Sequence, residues 1–429
     1  TRTFDVGSSN STFTTSGTVL ATPNLVVSSV IANGTGTNGL TKAGAGTLAL
    51  TGANTYTGTT TISGGTLLLG NNGTTGALSA SGTIVNNGTL GFSRTNTVTQ
   101  GTDFSGSAIS GTGGITNFSA GTLVLNQANS FSGAVNIYNG TVSVASIGNS
   151  GSNSNLGTNG TINLGSVGTN NAAVTATLLY TGSGETTDKV VKLNGFDSNS
   201  TSILDASGSG LLKFTSAVTG VDGSKTLTLQ GSGTGELAAG LGNFGTGVLT
   251  LTKSGTGTWT LSGNNTYTGA TTVNTGGTLV LSGSNAPSTT TVNSGGTLVL
   301  AGSNASTGAT MTVSGTLQLR NANALTGALS LNSASTVQLR ADTDTTFSSG
   351  TITLNSDPST GVDTTSFNFD VNAATAASNK TLTLGAVQFA QTGGNRGVDQ
   401  ATVNVTGATG YTLALGTVKA TTNGQVGSN

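Results

Sequence analysis

The phrase Gly-Thr-apolar-x-apolar returns along this chain at a nearly fixed interval, and that interval limits the folds open to it. It begins at Gly257 (GTWTL), Gly277 (GTLVL), Gly296 (GTLVL) and Gly315 (GTLQL), with a variant at Ser335 (STVQL), so successive starts lie 20, 19, 19 and 20 residues apart. In the first half it begins at Gly46, Gly65, Gly88, Gly121, Gly140 and Gly160, where steps of 19, 19 and 20 are interrupted by steps of 23 and 33. Such a period is too short for paired-helix repeats and falls at the length of one coil of a β-solenoid or of a leucine-rich repeat. Thr, Val and Leu alternate inside the phrase, as in Leu279 and Leu281 around Val280, while the good helix formers Glu, Lys, Arg and Gln are scarce. Strands fit this pattern and helices do not. Clusters of Asn, Gly and Thr such as residues 71–76 separate the phrases. They supply corners, glycine through positive φ and Asn or Ser through side-chain-to-backbone hydrogen bonds.

Stacked coils bring equivalent residues to about 4.8 Å, the interstrand distance of a sheet. Identical charges at that spacing repel, whereas Thr, Asn, Val and Leu ladders pack or hydrogen-bond. The chain has 13 Lys+Arg and 14 Asp+Glu among 429 residues, none of them between Asp103 and Glu185 or between Lys253 and Arg320, where the period is clearest. Its 69 glycines could suggest a linker, but a mean hydropathy of +0.07 and a net charge of −1 predict a folded chain.

The same composition excludes several function classes. A net charge of −1 offers no footprint for nucleic acid. Without histidine or cysteine there is no Ser-His-Asp triad, thiol nucleophile, disulfide or zinc site. Apolar runs are far shorter than the roughly 18 residues of a membrane span, so no membrane insertion is expected. The chain begins at Thr1 with no charged-then-apolar leader, which predicts that a signal peptide has been removed.

Two segments match over their whole length. TKAGAGTLALTGANTYTGTTTISGGTLLL (41–69) aligns with TKSGTGTWTLSGNNTYTGATTVNTGGTLVL (252–281), with one residue inserted before the Gly-Gly pair. Lys42 falls on Lys253 and Tyr56 on Tyr267, each pair 211 residues apart, and residues 120–144 form a more degenerate copy with Phe131 at the tyrosine place. This pattern resembles the autotransporter-associated β-strand repeat, also called the passenger-associated transport repeat, of bacterial surface proteins. It rests on Gly46, Leu48, Leu50, Tyr56, Gly65 and Leu67 in one copy and on Gly257, Trp259, Leu261, Tyr267, Gly277 and Leu279 in the other. Related single coils add Gly296, Leu298, Gly315 and Leu317. The resemblance implies a right-handed parallel β-helix (β-solenoid), exported and displayed or released at the cell surface, whose repeats serve folding and transport and not catalysis. Residues 341–429 lack the amphipathic ten-residue strands of a translocator barrel, so a passenger fragment or stand-alone surface protein is expected.

Other candidate features have plain explanations beside their functional ones. Gly34, Gly36 and Gly39 spell GxGxxG, a dinucleotide fingerprint only if a helix follows; at this glycine content the spacing arises by chance, and no cofactor is expected. Asp342 and Asp344 stand two apart, a spacing that on a strand faces both carboxylates one way and could serve glycoside hydrolysis or a divalent cation. They lie in a polar ADTDTT stretch near Arg340, where solvated loop charges are the simpler reading. Tyr56, Tyr267 and Trp259 could form an aromatic platform for carbohydrate. The turn phrase N-T-Y-T-G instead favours tyrosines folded over a coil corner, with Trp259 in a core place like that of Leu48. At the N-terminus, Phe4 and Val6 alternate with Thr3 and Asp5, describing a strand that could complete another copy's core.

The sequence divides into residues 1–36, an N-terminal strand segment serving as donor or cap; 37–165, a first solenoid block; 166–245, irregular and more charged, read as solenoid with irregular coils or as a lateral insertion; 246–340, a second block; and 341–429, looser coils with a polar tail. The reading is a non-enzymatic extracellular structural protein, a homo-oligomer or end-to-end polymer forming a surface fibre, filament or sheath. The alternatives are a monomeric adhesin or display stalk with a carbohydrate or other cell-surface ligand and, remotely, a β-helix polysaccharide-degrading enzyme.

Overall fold

The computed structural model describes residues 4–5, 11–14, 23–165, 173–195, 200–285, 289–302, 310–322, 324–347, 350–356, 364–375, 378–391 and 400–421. Among them there is no helix, and every strand-to-strand pairing is parallel apart from one isolated bridge between Asn129 and Ser154. The chain is an all-β parallel β-solenoid, not a closed barrel. It forms two compact units, residues 1–227 with 244–246 and residues 228–243 with 247–429.

In the second unit the Gly-Thr-apolar phrases stack in register. Thr258, Thr278, Thr297, Thr316 and Thr336 are consecutive Cα partners at the steps of 20, 19, 19 and 20 read from the sequence. Each strand is short because a coil must turn after three to five residues, and alternate side chains point inward. Trp259, Leu279, Leu298, Leu317 and Val337 therefore form one fully buried column, and Leu261, Leu281, Leu300, Leu319 and Leu339 another. Burying each leucine contributes about 1.5–3 kcal/mol, which is what holds a fold with so few charges together. Trp259 takes the core place expected of it because its partner on the preceding coil is Gly235, where a Cβ would lie 2.5 Å from the indole ring. Later coils lengthen: Thr336 pairs with Asn368 and Asn368 with Asn404, steps of 32 and 36 residues. Thr381–Leu384 pairs with Thr412–Leu415, a step of 31 residues.

The first unit carries a nine-stranded sheet running from Leu25–Val27 through Thr47–Leu50, Thr66–Gly73 and Thr89–Arg94 to Thr219–Gly220. Its inner column, Leu48, Leu67, Leu90, Ile115, Val135, Ile162 and Val191, is buried throughout. Here the expectation that every phrase stacks on the next needs correcting. The phrases at Gly46, Gly65 and Gly88 do so, but within the step of 33 the chain inserts the extra strand Gly114–Asn117 on that sheet. The phrase at Gly121 is thereby moved to a different sheet, where Thr122 pairs with Thr141 of the next phrase. The phrase at Gly160 returns to the nine-stranded sheet, Ile162 opposite Val135.

The charged stretch continues the solenoid wherever it is described within the first unit. Thr175–Tyr180 lies between Gly140–Val144 and Thr201–Ala206, and Val190–Leu193 follows Thr161–Leu164. Steps of 36 and 26 residues on one sheet and 29 on another explain why a 19-residue pattern could not be seen there.

Candidate functional site

The two best-matching copies are each a strand, a glycine turn and a second strand, and in both the turn is closed by a lysine. Lys42 is the third residue of Leu40–Ala43, at an inward position in register with Ile62 of the next coil, and it is fully buried. Burying an ammonium in an apolar column costs several kcal/mol unless its donors are matched. The side chain folds forward and donates to the carbonyl oxygens of Ala43 (2.8 Å) and Gly44 (2.9 Å) and to Gly64 of the next coil (3.1 Å). Gly44 has φ +73°, and this left-handed turn aims the carbonyls at the ammonium. Burial pushes the Lys42 ammonium below the usual lysine range.

Lys253 repeats the device, donating to Ser254 and to Gly255 at 3.1 Å, with Gly255 at φ +69°. In the degenerate copy the same place holds Asn117, four residues before Gly121, and its amide donates to the carbonyls of Gly121 (3.1 Å) and Asn139 (2.9 Å). The motif Lys-x-Gly-x-Gly was visible at 42–46 and 253–257, but a lysine on a strand ordinarily reads as solvated.

The opposite corner is built by G-x-N-x-Y. Asn54 accepts from the Ile31 amide (2.9 Å) and donates to Gly52 (3.1 Å) and Ala77 (2.8 Å), so one amide ties three successive coils. Asn265 does likewise with the Leu241 amide (3.0 Å), Gly263 (2.9 Å) and the side chain of Asn285 (2.7 Å). Two residues on, Tyr56 and Tyr267 are buried inside the coil, their hydroxyls 2.7 and 2.8 Å from Thr60 Oγ1 and Thr271 Oγ1. Burial pushes the Tyr267 phenol up to about 12, and Tyr56 still higher, with the threonine hydrogen bond opposing in each. Both rings and Trp259, whose indole N–H donates to the Gln230 carbonyl at 2.8 Å, are interior, so they present no face on which a sugar could stack.

The repeat glycines are places where coils approach too closely for a side chain. A Cβ at Gly65 or Gly257 would lie 2.3 or 2.0 Å from a carbonyl oxygen of the preceding coil, and Gly65 also has φ +63°.

The remaining candidates fall elsewhere. After Gly34, Gly36 and Gly39 comes the strand Leu40–Ala43, so the helix terminus a dinucleotide needs is missing at that place. Asp342 and Asp344 sit on a turn, not a strand, and serve different backbones. Asp342 accepts from the amides of Ala374 (2.9 Å) and Thr375 (3.0 Å), and Asp344 from that of Thr381 (2.8 Å). Arg340 pairs with Asp370 and not with either of them. Phe4–Asp5 pairs in parallel with Ile31–Ala32 of its own chain, and Val6 lies outside the described residues.

The stacked strands, lysine-closed turns and Asn-Tyr corners define a repeat-built solenoid. The family model of the Passenger-associated-transport-repeat matches residues 40–69, 112–144, 251–281 and 291–319. These four stretches are similar to passenger-associated transport repeats, as the sequence pattern suggests. The second begins earlier than the 120–144 copy that the sequence shows, and the fourth takes in the related single coils at Gly296 and Gly315. No curated protein and no solved structure matches the chain. The repeat belongs to autotransporter passenger domains, which are usually non-enzymatic, and implies a passenger-like protein that is secreted or displayed at the surface.

Proposed function

We propose that the chain is a non-enzymatic structural subunit of a bacterial surface fibre, filament or sheath, assembled by coil-on-coil stacking between copies. The carrying observation is the coil formed by Gln400–Gly407, Thr412–Leu415 and Val418–Thr421. Its residues Val405, Leu415 and Val418 are 54%, 36% and 53% exposed, although their partners Phe369, Leu384 and Val387 one coil earlier are buried. In the first unit, Leu25 of Leu25–Val27 occupies the same column as buried Leu48 yet is 40% exposed. An apolar column left open on a parallel edge is a surface that a coil of a second copy, stacked head to tail, would cover, and where the rotation of such a contact does not close a ring it grows into a filament. This route stacks whole coils and leaves the Phe4 strand paired in its own chain.

Sedimentation of the full chain across micromolar concentrations tests the reading. Growing polymers that Val405→Asp with Val418→Asp converts to monomers support it. Monomers at every concentration, or polymers that survive both substitutions, refute it and leave the display stalk. That second reading is favoured by the exposed, uncharged loop tip at residues 149–153, which would carry a carbohydrate or other surface ligand.

A further inference from the structure

Residues 145–160 leave the coil between strands Gly140–Val144 and Thr161–Leu164 and contain no charged residue. The tip 149–153 is exposed, while Ile147 and Leu156 beneath it are buried. On the side of the preceding corner the segment is tied by the bridge of Ser154 with Asn129 and by the Thr158 amide on the Phe131 carbonyl (2.9 Å), and also by side-chain amides: Asn129 donates to the Asn155 carbonyl (2.9 Å), Asn155 to Gln127 (3.0 Å) and Asn159 to Ser132 (3.0 Å).

What fastens it from the other side is the charge cluster of the following coil. Glu185 accepts from the amides of Ile147 (2.5 Å) and Gly148 (3.1 Å), and Asp188 from that of Ser150 (2.7 Å). The buried Lys189 ammonium donates to the carbonyls of Gly157 (3.2 Å) and Asn159. Gly148, Gly151 and Gly157 have positive φ, giving the segment bends at its foot and its tip. The coils on either side are held by continuous ladders, whereas this segment is held largely by side chains reaching to its backbone. Charge-assisted bonds of that kind are roughly twice as strong as neutral ones, and they are lost together when their anchors go.

We propose that residues 145–160 form a strap that opens as a unit, separately from the stacked coils, and that Glu185, Asp188 and Lys189 are its latch. The charges that interrupt the repeat pattern here are then explained: they hold a detachable element, which uncovers Ile147 and Leu156 when it lifts.

Amide hydrogen exchange on the full chain tests this. In Glu185→Gln with Asp188→Asn, the amides of Ile147, Gly148 and Ser150 should exchange at least tenfold faster, while the ladder amides of Val142, Val144 and Leu193 stay within twofold of wild type. Equal acceleration of both sets, or none at the strap, overturns the proposal. Should the variant fold poorly, the wild-type chain in low urea gives the same answer, because strap amides must then exchange through a smaller opening than ladder amides; a shared opening overturns it.

Discussion

The Lys42 ammonium lies 2.9 Å from the carbonyl oxygen of Gly44, two residues further along the chain, and closes a turn that the backbone alone would leave with inward, unpaired carbonyls. Lys253 and Gly255 stand in the same relation at 3.1 Å. The second pair can be tested cleanly, because Trp259 is the only tryptophan in the chain and is buried one strand away. Lys253→Met keeps the apolar stem and removes the donors. It should destabilise the second unit by about 1–3 kcal/mol, the cost of leaving buried acceptors unmatched, read as a lower urea midpoint in Trp259 fluorescence. An unchanged midpoint would show the carbonyls content without the ammonium.

The hydroxyl of Tyr267 and that of Thr271 are partners in a dry corner. Tyr267→Phe leaves the threonine unmatched and should cost about 1–2 kcal/mol, whereas adding Thr271→Val should recover most of the loss because both polar groups are then gone. Additive losses in the double variant would place the cost in packing and not in the hydrogen bond.

Alkaline pH should act through the same residue. A phenol whose folded value is raised keeps its proton in the native state after the unfolded chain has lost it, so its stability contribution is complete below about pH 10 and declines above that. With Tyr267 pushed up to about 12, stability should fall between pH 10 and 12 with a slope approaching about 1.4 kcal/mol per pH unit for this group. Lys42, Lys189 and Lys225 are lowered by burial and act oppositely, since between their folded values and the ordinary lysine value the unfolded chain binds more protons and stability rises with pH. The difference between wild type and Tyr267→Phe isolates the phenol: their stabilities should converge from pH 10 upward. Parallel curves would remove Tyr267 as the cause.

Close approach makes a further prediction at the repeat glycines. Gly257→Ala would put a Cβ 2.0 Å from the Gly233 carbonyl and should cost about 1–3 kcal/mol or more. Gly73→Ala, which meets nothing within 4 Å, should stay within about 0.5 kcal/mol of wild type. Thermal unfolding followed by circular dichroism compares them, and equal effects would mean the coils are less tightly stacked than described.

The parts of the fold legible in the sequence were those in which one short rule repeats. Thr278, Leu279 and Leu281 announced their ladders because inward and outward positions alternate and the step barely varies. Trp259 could be placed because it stands where Leu48 does. The lysine clamp was not legible, although Lys42 and Lys253 were seen to align, because charge argues for solvent and the acceptors are backbone atoms that no side-chain pattern reveals. Steps of 26–36 residues hid the coils around Thr175–Tyr180 and Thr364–Asn372, since a corner can lengthen without altering the strands it joins. Glu185 could be counted but not assigned, as its partners are amides nearly forty residues away.

In the first unit the Lys42 corner leads into the nine-stranded sheet, whereas the Asn117 corner leads out of it. The heritable module is thus a bend with two arms and not a full ring. One kind of bend serves more than one side of the solenoid, because each of its arms needs only a neighbouring strand of the same inward-outward alternation to rest on.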